Sequence, residues 1–138
     1  MEKKYIDERF KSFTKALESL KRAKERDLSD EFVMSGTVQK FSICFDIAWK
    51  IMKDISVNYF KVTDFATGSP RESLRVAYSV KLISDDNWMN MLEDRNQLAH
   101  DYDGRLADEK TEVIVYQYIP LIDEFHKNVK TLMEKHEA

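Results

Sequence analysis

Between Glu93 and Asp103 the chain reads EDRNQLAHDYD, and three of those side chains suit chemistry on a charged substrate. Arg95 can grip an anion through a fork of N–H donors, His100 can move a proton near neutral pH, and Tyr102 offers a phenolic hydroxyl. At about 100° per residue, Trp88, Met91, Leu92, Arg95, Ala99 and Tyr102 share about a third of a helix circumference, so the apolar stripe carries an arginine. An unpaired guanidinium there forfeits its hydration. Arg95 must be paired, reach a solvent-filled cleft or serve a ligand. Each of the three also has a structural reading. Arg95 can pair with Glu93, Asp94 or an acid of the last helix, His100 can sit at a helix end favoured by the dipole, and Tyr102 can be a core ring with a wet hydroxyl.

The elements that must position this stretch are helical. Three glycines and two prolines in 138 residues leave few breaks, and the breaks mark the helices. A first helix is predicted from Lys3 to Glu25, with Ile6, Phe10, Phe13, Leu17 and Leu20 inward; Arg26 to Asp30 form a hinge. A second runs from Glu31 to Tyr59 on the stripe Met34, Val38, Phe41, Phe45, Ala48, Trp49, Met52 and Ile55. Ile43, Ile47 and Ile51 make a second ridge on it, which suits either a central helix covered by neighbours or one that lines a subunit interface.

After the connector Lys61 to Gly68, Ser69-Pro70-Arg71-Glu72 is a capping box, with Glu72 expected to reach back to the Ser69 amide. Leu74, Ala77, Tyr78 and Leu82 face inward from that helix, and Arg71, Arg75 and Lys81 decorate it with positive charge. Ser84 to Asp86 interrupt and recap, and the helix bearing Arg95 starts near Asn87. Gly104 and Asp108 bracket a turn before a last helix, Glu109 to Lys135, in which Pro120 is expected to produce a kink. The predicted fold is all-α: a single domain over residues 1–138, an antiparallel up-and-down bundle of four to five helices, homodimeric.

A formal net charge of -3 argues against a protein that coats nucleic acid by charge alone. The lone Cys44 has no partner for an internal disulfide and reads as buried and inert. No apolar run approaches the roughly 20 residues of a membrane span, and no apolar N-terminal segment follows Met1, so the expected location is cytoplasmic, away from membranes. His100 with Asp101 and Asp103 lacks the further ligands of a metal site, and Gly36, Gly68 and Gly104 stand apart from any phosphate-binding loop, so neither metal nor cofactor is expected. Phe41, Phe45 and Trp49 sit at core spacing, and His126 and His136 are assigned no role.

Arg95 to Tyr102 resembles the R-x4-H-x-Y signature of the HEPN superfamily, helical bundles named for higher eukaryotes and prokaryotes nucleotide-binding. QKFSICFDIAWKIMK from Gln39 to Lys53, SPRESLR from Ser69 to Arg75 and DDNWMNMLEDRNQLAHDYD from Asp85 to Asp103 are similar to its nucleotidyltransferase substrate-binding protein branch. The resemblance implies a homodimer that partners a separately encoded minimal nucleotidyltransferase. It also implies, in toxin–antitoxin pairs, a metal-independent ribonuclease silenced by nucleotidylation of the motif tyrosine. Arg95 and His100 would then be catalytic, Asn96 would support them, and Tyr102 would be modified. The alternative is a non-catalytic subunit that holds the transferase's substrate.

Residue types can be tested against RNA cleavage without metal, which needs a base for the 2'-hydroxyl, an acid for the leaving 5'-oxygen and a cation for the phosphorane. One histidine is short of that. Arg95 and His100 also diverge by about 140° on an ideal helix, so convergence requires the helix to loosen or a dimer to supply a second copy of the motif. The motif region is acidic, and a phosphate backbone needs compensating cations. Candidates are Arg71, Arg75, Lys81 and Arg105, or the first helix with Lys11, Lys15, Lys21, Arg22 and Lys24.

Overall fold

A computed structural model of the chain describes residues 2–65 and 67–137; Met1, Ala66 and Ala138 lie outside it. Helix α1 (Glu2–Lys21) tightens into a 3-10 turn (Arg22–Glu25), followed by α2 (Glu31–Asn58), α3 (Pro70–Ser79) and α4 (Asn87–Leu98). Then α5 (Arg105–Val113), a π segment (Ile114–Tyr118) and α6 (Ile119–Glu137) run on without a break. No strand occurs among the described residues, and the architecture is an all-α antiparallel bundle.

Helix α2 is its axis, packing against α1, α3, α4 and α5, while α1 closes against α6. That central position explains why apolar residues occur on two sides of α2. Ile51 is fully buried, Ile47 is half-buried, and Ile43 is 49% exposed, so the second ridge is core at one end and surface at the other. Phe13, Phe41, Phe45 and Phe125 form the fully buried centre. The Phe41 ring stacks on Tyr118 at 5.6 Å, and Trp88 meets Phe125 edge-on at 5.4 Å, which ties α2 and α4 to the last helical run.

Helix starts follow side-chain capping. The Asp30 carboxylate accepts the Phe32 and Val33 amides at 2.8 and 3.1 Å, fixing the start of α2. Ser69 Oγ accepts the Glu72 amide at 3.1 Å as predicted, but the Glu72 carboxylate reaches past the Ser69 amide. It takes the Thr67 and Gly68 amides at 2.9 and 2.7 Å, because Gly68 at φ +66 turns its N–H inward; the Ser69 amide donates to Thr67 Oγ1 instead.

The last helix differs from expectation in its start, and it carries a π segment ahead of Pro120. It begins at Arg105 rather than Glu109, because Asp101 accepts the Leu106 and Ala107 amides at 3.1 and 2.9 Å and Gly104 enters with φ 75. Asp108 therefore sits in a helical turn, not beside one. Ahead of Pro120 the helix widens into the π segment. A proline gives no N–H to the carbonyl four residues back, here Tyr116, and its ring crowds that carbonyl; a π turn accommodates both.

Candidate functional site

Arg95 is paired, and by an acid that the spacing did not nominate. Its Nε donates to Asp46 Oδ1 at 3.0 Å and its Nη2 to Asp46 Oδ2 at 2.8 Å, a fork between α4 and α2. Glu93, Asp94 and the last helix are not its partners. Both side chains stay about a third exposed, and Nη1 points past the pair toward Asn96 Oδ1 at 3.5 Å. Arg95 and Asn96 share one wall of a 220 Å³ cavity with Asp46, Trp49, Lys50 and Pro70. Trp49, expected in the core with Phe41 and Phe45, is only half-buried there; the Lys50 ammonium lies 5.7 Å over its ring.

Asp94 turns inward and is 7% exposed. The Tyr118 hydroxyl donates to its carboxylate, and Lys110 Nζ approaches at 3.3 Å, so this acid binds α4 to α5 and the π segment. Burial, and then the Asp94 carboxylate, push the Tyr118 phenol well above its ordinary ionisation range. Nothing in the spacing separates this buried acid from its exposed neighbour Glu93.

The stripe does not continue as predicted. Helix α4 ends at Leu98, Ala99 and His100 are exposed in a turn, and Tyr102 is 94% exposed instead of lying in the core. Beyond the turn, the Asp101 carboxylate accepts amides of the first turn of α5, and Gly104 enters that helix in the left-handed region. No group of three His, Cys, Asp or Glu that could hold a metal occurs among the described residues. Tyr102 borders an open 490 Å³ cavity with Glu31, Ser35, Asp101, Asp103 and Asp108. His100 lies on the wall of neither cavity. Within one chain, then, Arg95 and Asn96 share a cavity wall to which neither His100 nor Tyr102 contributes.

The four candidate cations do not gather at Arg95. Arg71 and Arg75 are exposed on α3, off the wall of the Arg95 cavity that Pro70 borders. Lys81, in the left-handed region at φ 63, borders cavities shared with Asn128 of α6. Arg105 is exposed, 3.9 Å from the Asp103 carboxylate. Lys50, which the spacing did not single out, is the lysine on the Arg95 wall.

Cys44, His126 and His136 lie off the walls of the Arg95 and Tyr102 cavities. Burial pushes the Cys44 thiol up to about 12, consistent with an inert core cysteine. His126, which was given no role, stacks on Phe10 at 4.6 Å with its Nε2 2.8 Å from Thr14 Oγ1, and burial lowers its pKa. His136 stacks on Tyr59 at 4.1 Å. No helix among the described residues is long and apolar enough to cross a membrane.

Residues 8–131 match a family model described as nucleotidyltransferase substrate binding protein like. No curated protein matches the chain.

Proposed function

The chain belongs to the nucleotidyltransferase substrate binding protein like family, and from that membership we propose that it is the partner subunit of a separately encoded minimal nucleotidyltransferase, presenting Tyr102 for modification. The observation that carries this reading is the exposure of Tyr102: its ring is 94% exposed on a turn anchored by the Asp101 cap. In that modification the phenolic oxygen bonds to the α-phosphorus of a nucleoside triphosphate, pyrophosphate leaves, and the phenolic proton passes to a base. An exposed phenol on an anchored turn can enter another protein's active site without unfolding its own.

In the same reading the subunit, as a homodimer, is a metal-independent ribonuclease of the HEPN type. Two copies of His100 serve as base and acid for 2'-hydroxyl attack and 5'-oxygen departure, and Arg95, supported by Asn96, holds the phosphate. The Arg95 Nη1, which lies outside the Asp46 fork and is directed at Asn96 Oδ1, supports this role. A second reading, the non-catalytic binding subunit, is favoured by the acids Glu31, Asp101, Asp103 and Asp108 near Tyr102 and by the Asp46 fork that neutralises Arg95.

Incubation of RNA with the purified protein and a chelator, wild type beside His100→Ala, distinguishes the two on a denaturing gel. Cleavage by wild type alone supports the ribonuclease; no cleavage by either leaves the binding subunit. Mass spectrometry after incubation with the transferase and nucleoside triphosphate should show one nucleotidyl adduct on wild type and none on Tyr102→Phe. An adduct retained by Tyr102→Phe would exclude that residue as the acceptor.

A further inference from the structure

At the other side of the first turns of α2, away from Tyr102, lies a 350 Å³ cavity between α2 and the end of α1. That size falls in the ~300–1,000 Å³ range of small-ligand sites. Ala23, Val33 and Thr37 line it, and Phe32 stands at its edge 84% exposed, although a phenylalanine gains nothing from water. Three cations rim it: Arg22, Arg26 and Lys40. None of the three has an ion pair among the described residues. Lys40 is nevertheless positioned, because its ammonium donates to Ser19 Oγ at 2.6 Å across the α1–α2 contact. The nearby Asp30 carboxylate is engaged by the Phe32 and Val33 amides.

The cations continue beyond the cavity. Steps of four along α1 place Lys11 and Lys15 in line with Ser19, and both lysines are exposed without an ion pair among the described residues. Farther along α1 the exposed acids Glu8 and Glu18 alternate with these lysines, so the excess of positive charge is confined to the cavity, whose lining has three cations and no acid, whereas acids line the Tyr102 cavity. Three cations without ion pairs around an exposed aromatic ring over an apolar floor are the combination that holds a flexible polyanion carrying flat apolar groups.

We infer that this face binds single-stranded RNA, with one base stacked on Phe32 over the cavity, flanking phosphates held by Arg22, Arg26 and Lys40, and the strand continuing along Lys15 and Lys11. The choice of RNA as occupant rests on the ribonuclease reading above, but binding here does not require that the protein cleave.

Fluorescence anisotropy of a labelled single-stranded oligoribonucleotide, with a chelator present, tests this on the full chain, and a denaturing gel of the same RNA is run beside it. Phe32→Ala should weaken binding about tenfold, the loss of one stacked base. Arg22→Gln with Arg26→Gln should lower the slope of log affinity against log salt by about 1.4, for two single-strand phosphate contacts. These residues are exposed, and thermal melting verifies that the variants fold. Binding of both variants within about twofold of wild type, with RNA still cut, overturns this surface and leaves the ribonuclease. Binding that depends on Phe32 without any cutting supports the surface and overturns the ribonuclease. RNA neither bound nor cut overturns both. Displacement of the RNA by polyglutamate at equal charge concentration also overturns the inference, since a peptide has no base to stack.

Discussion

At Arg95 and Asp46 the forked ion pair answers the cost of an arginine in an apolar stripe, but each partner keeps about a third of its surface in water. Solvent screening limits its value, so a double-mutant cycle with Asp46→Ala and Arg95→Ala, followed by urea unfolding, should give a coupling of about 1 kcal/mol or less. A larger coupling would mean that the pair is shielded from solvent in an assembly. His126 titrates in the opposite sense to an ion-paired histidine. Burial against Phe10 and Thr14 lowers its pKa from 6.5, so the unfolded chain binds a proton in a range where the folded chain does not. Stability from this group is complete above the unfolded value and is lost as pH falls through 6.5 toward the lower folded value. The melting temperature should therefore drop between pH 7 and pH 5, and less steeply in His126→Leu; equal slopes would remove His126 as the cause. Arg95 was legible as a residue needing a partner. Asp46 was not legible as that partner, because two residues 49 positions apart meet only through the packing of α4 on α2.

At the level of elements, the Ser69 cap was the clearest sequence signal, since it acts within three residues of itself, whereas Asp30, read as the end of a hinge, caps α2. The Asp101 cap was missed because that residue sits inside the motif and its amide partners lie five and six residues on. Removing it should matter beyond α5. Asp101→Ala is expected to cost about 1–2 kcal/mol, the upper part of the range for a lost N-cap. It should also speed hydrogen exchange at the Leu106 and Ala107 amides, while Tyr102→Phe leaves stability within about 0.5 kcal/mol because its ring is exposed. Unchanged exchange in Asp101→Ala would show that Gly104 alone sets the turn. Periodicity placed α5 and α6 in one helical run with Pro120 inside it, but not the π segment ahead of the proline, in which Ile114, Val115 and Tyr118 are buried. The hydrophobic pattern counts residues per turn over a window and does not resolve one extra residue within it.

For the whole molecule, the proposed ribonuclease needs a second copy, since one chain leaves His100 off the Arg95 wall. Ile43, 49% exposed on α2 three residues before Asp46, is the apolar residue suited to such a contact. Ile43→Glu should leave the melting temperature of the fold nearly unchanged, yield monomers by sedimentation velocity and lose RNA cleavage. Monomers that still cut at the wild-type rate would exclude a shared site.

By itself the sequence determined the all-α bundle, the starts of α2 and α3 and the inward faces of α1 and of the last helical run. These rest on local hydrogen bonding and on apolar periodicity, both of which act over a few residues. Tertiary structure alone decided that Asp46 holds Arg95, that Asp94 is buried against Tyr118 and Lys110, and that Arg22, Arg26 and Lys40 meet around Phe32. Those juxtapositions depend on how helices cross and on where the chain leaves a helix, and a one-residue change in either rotates a side chain by about 100°.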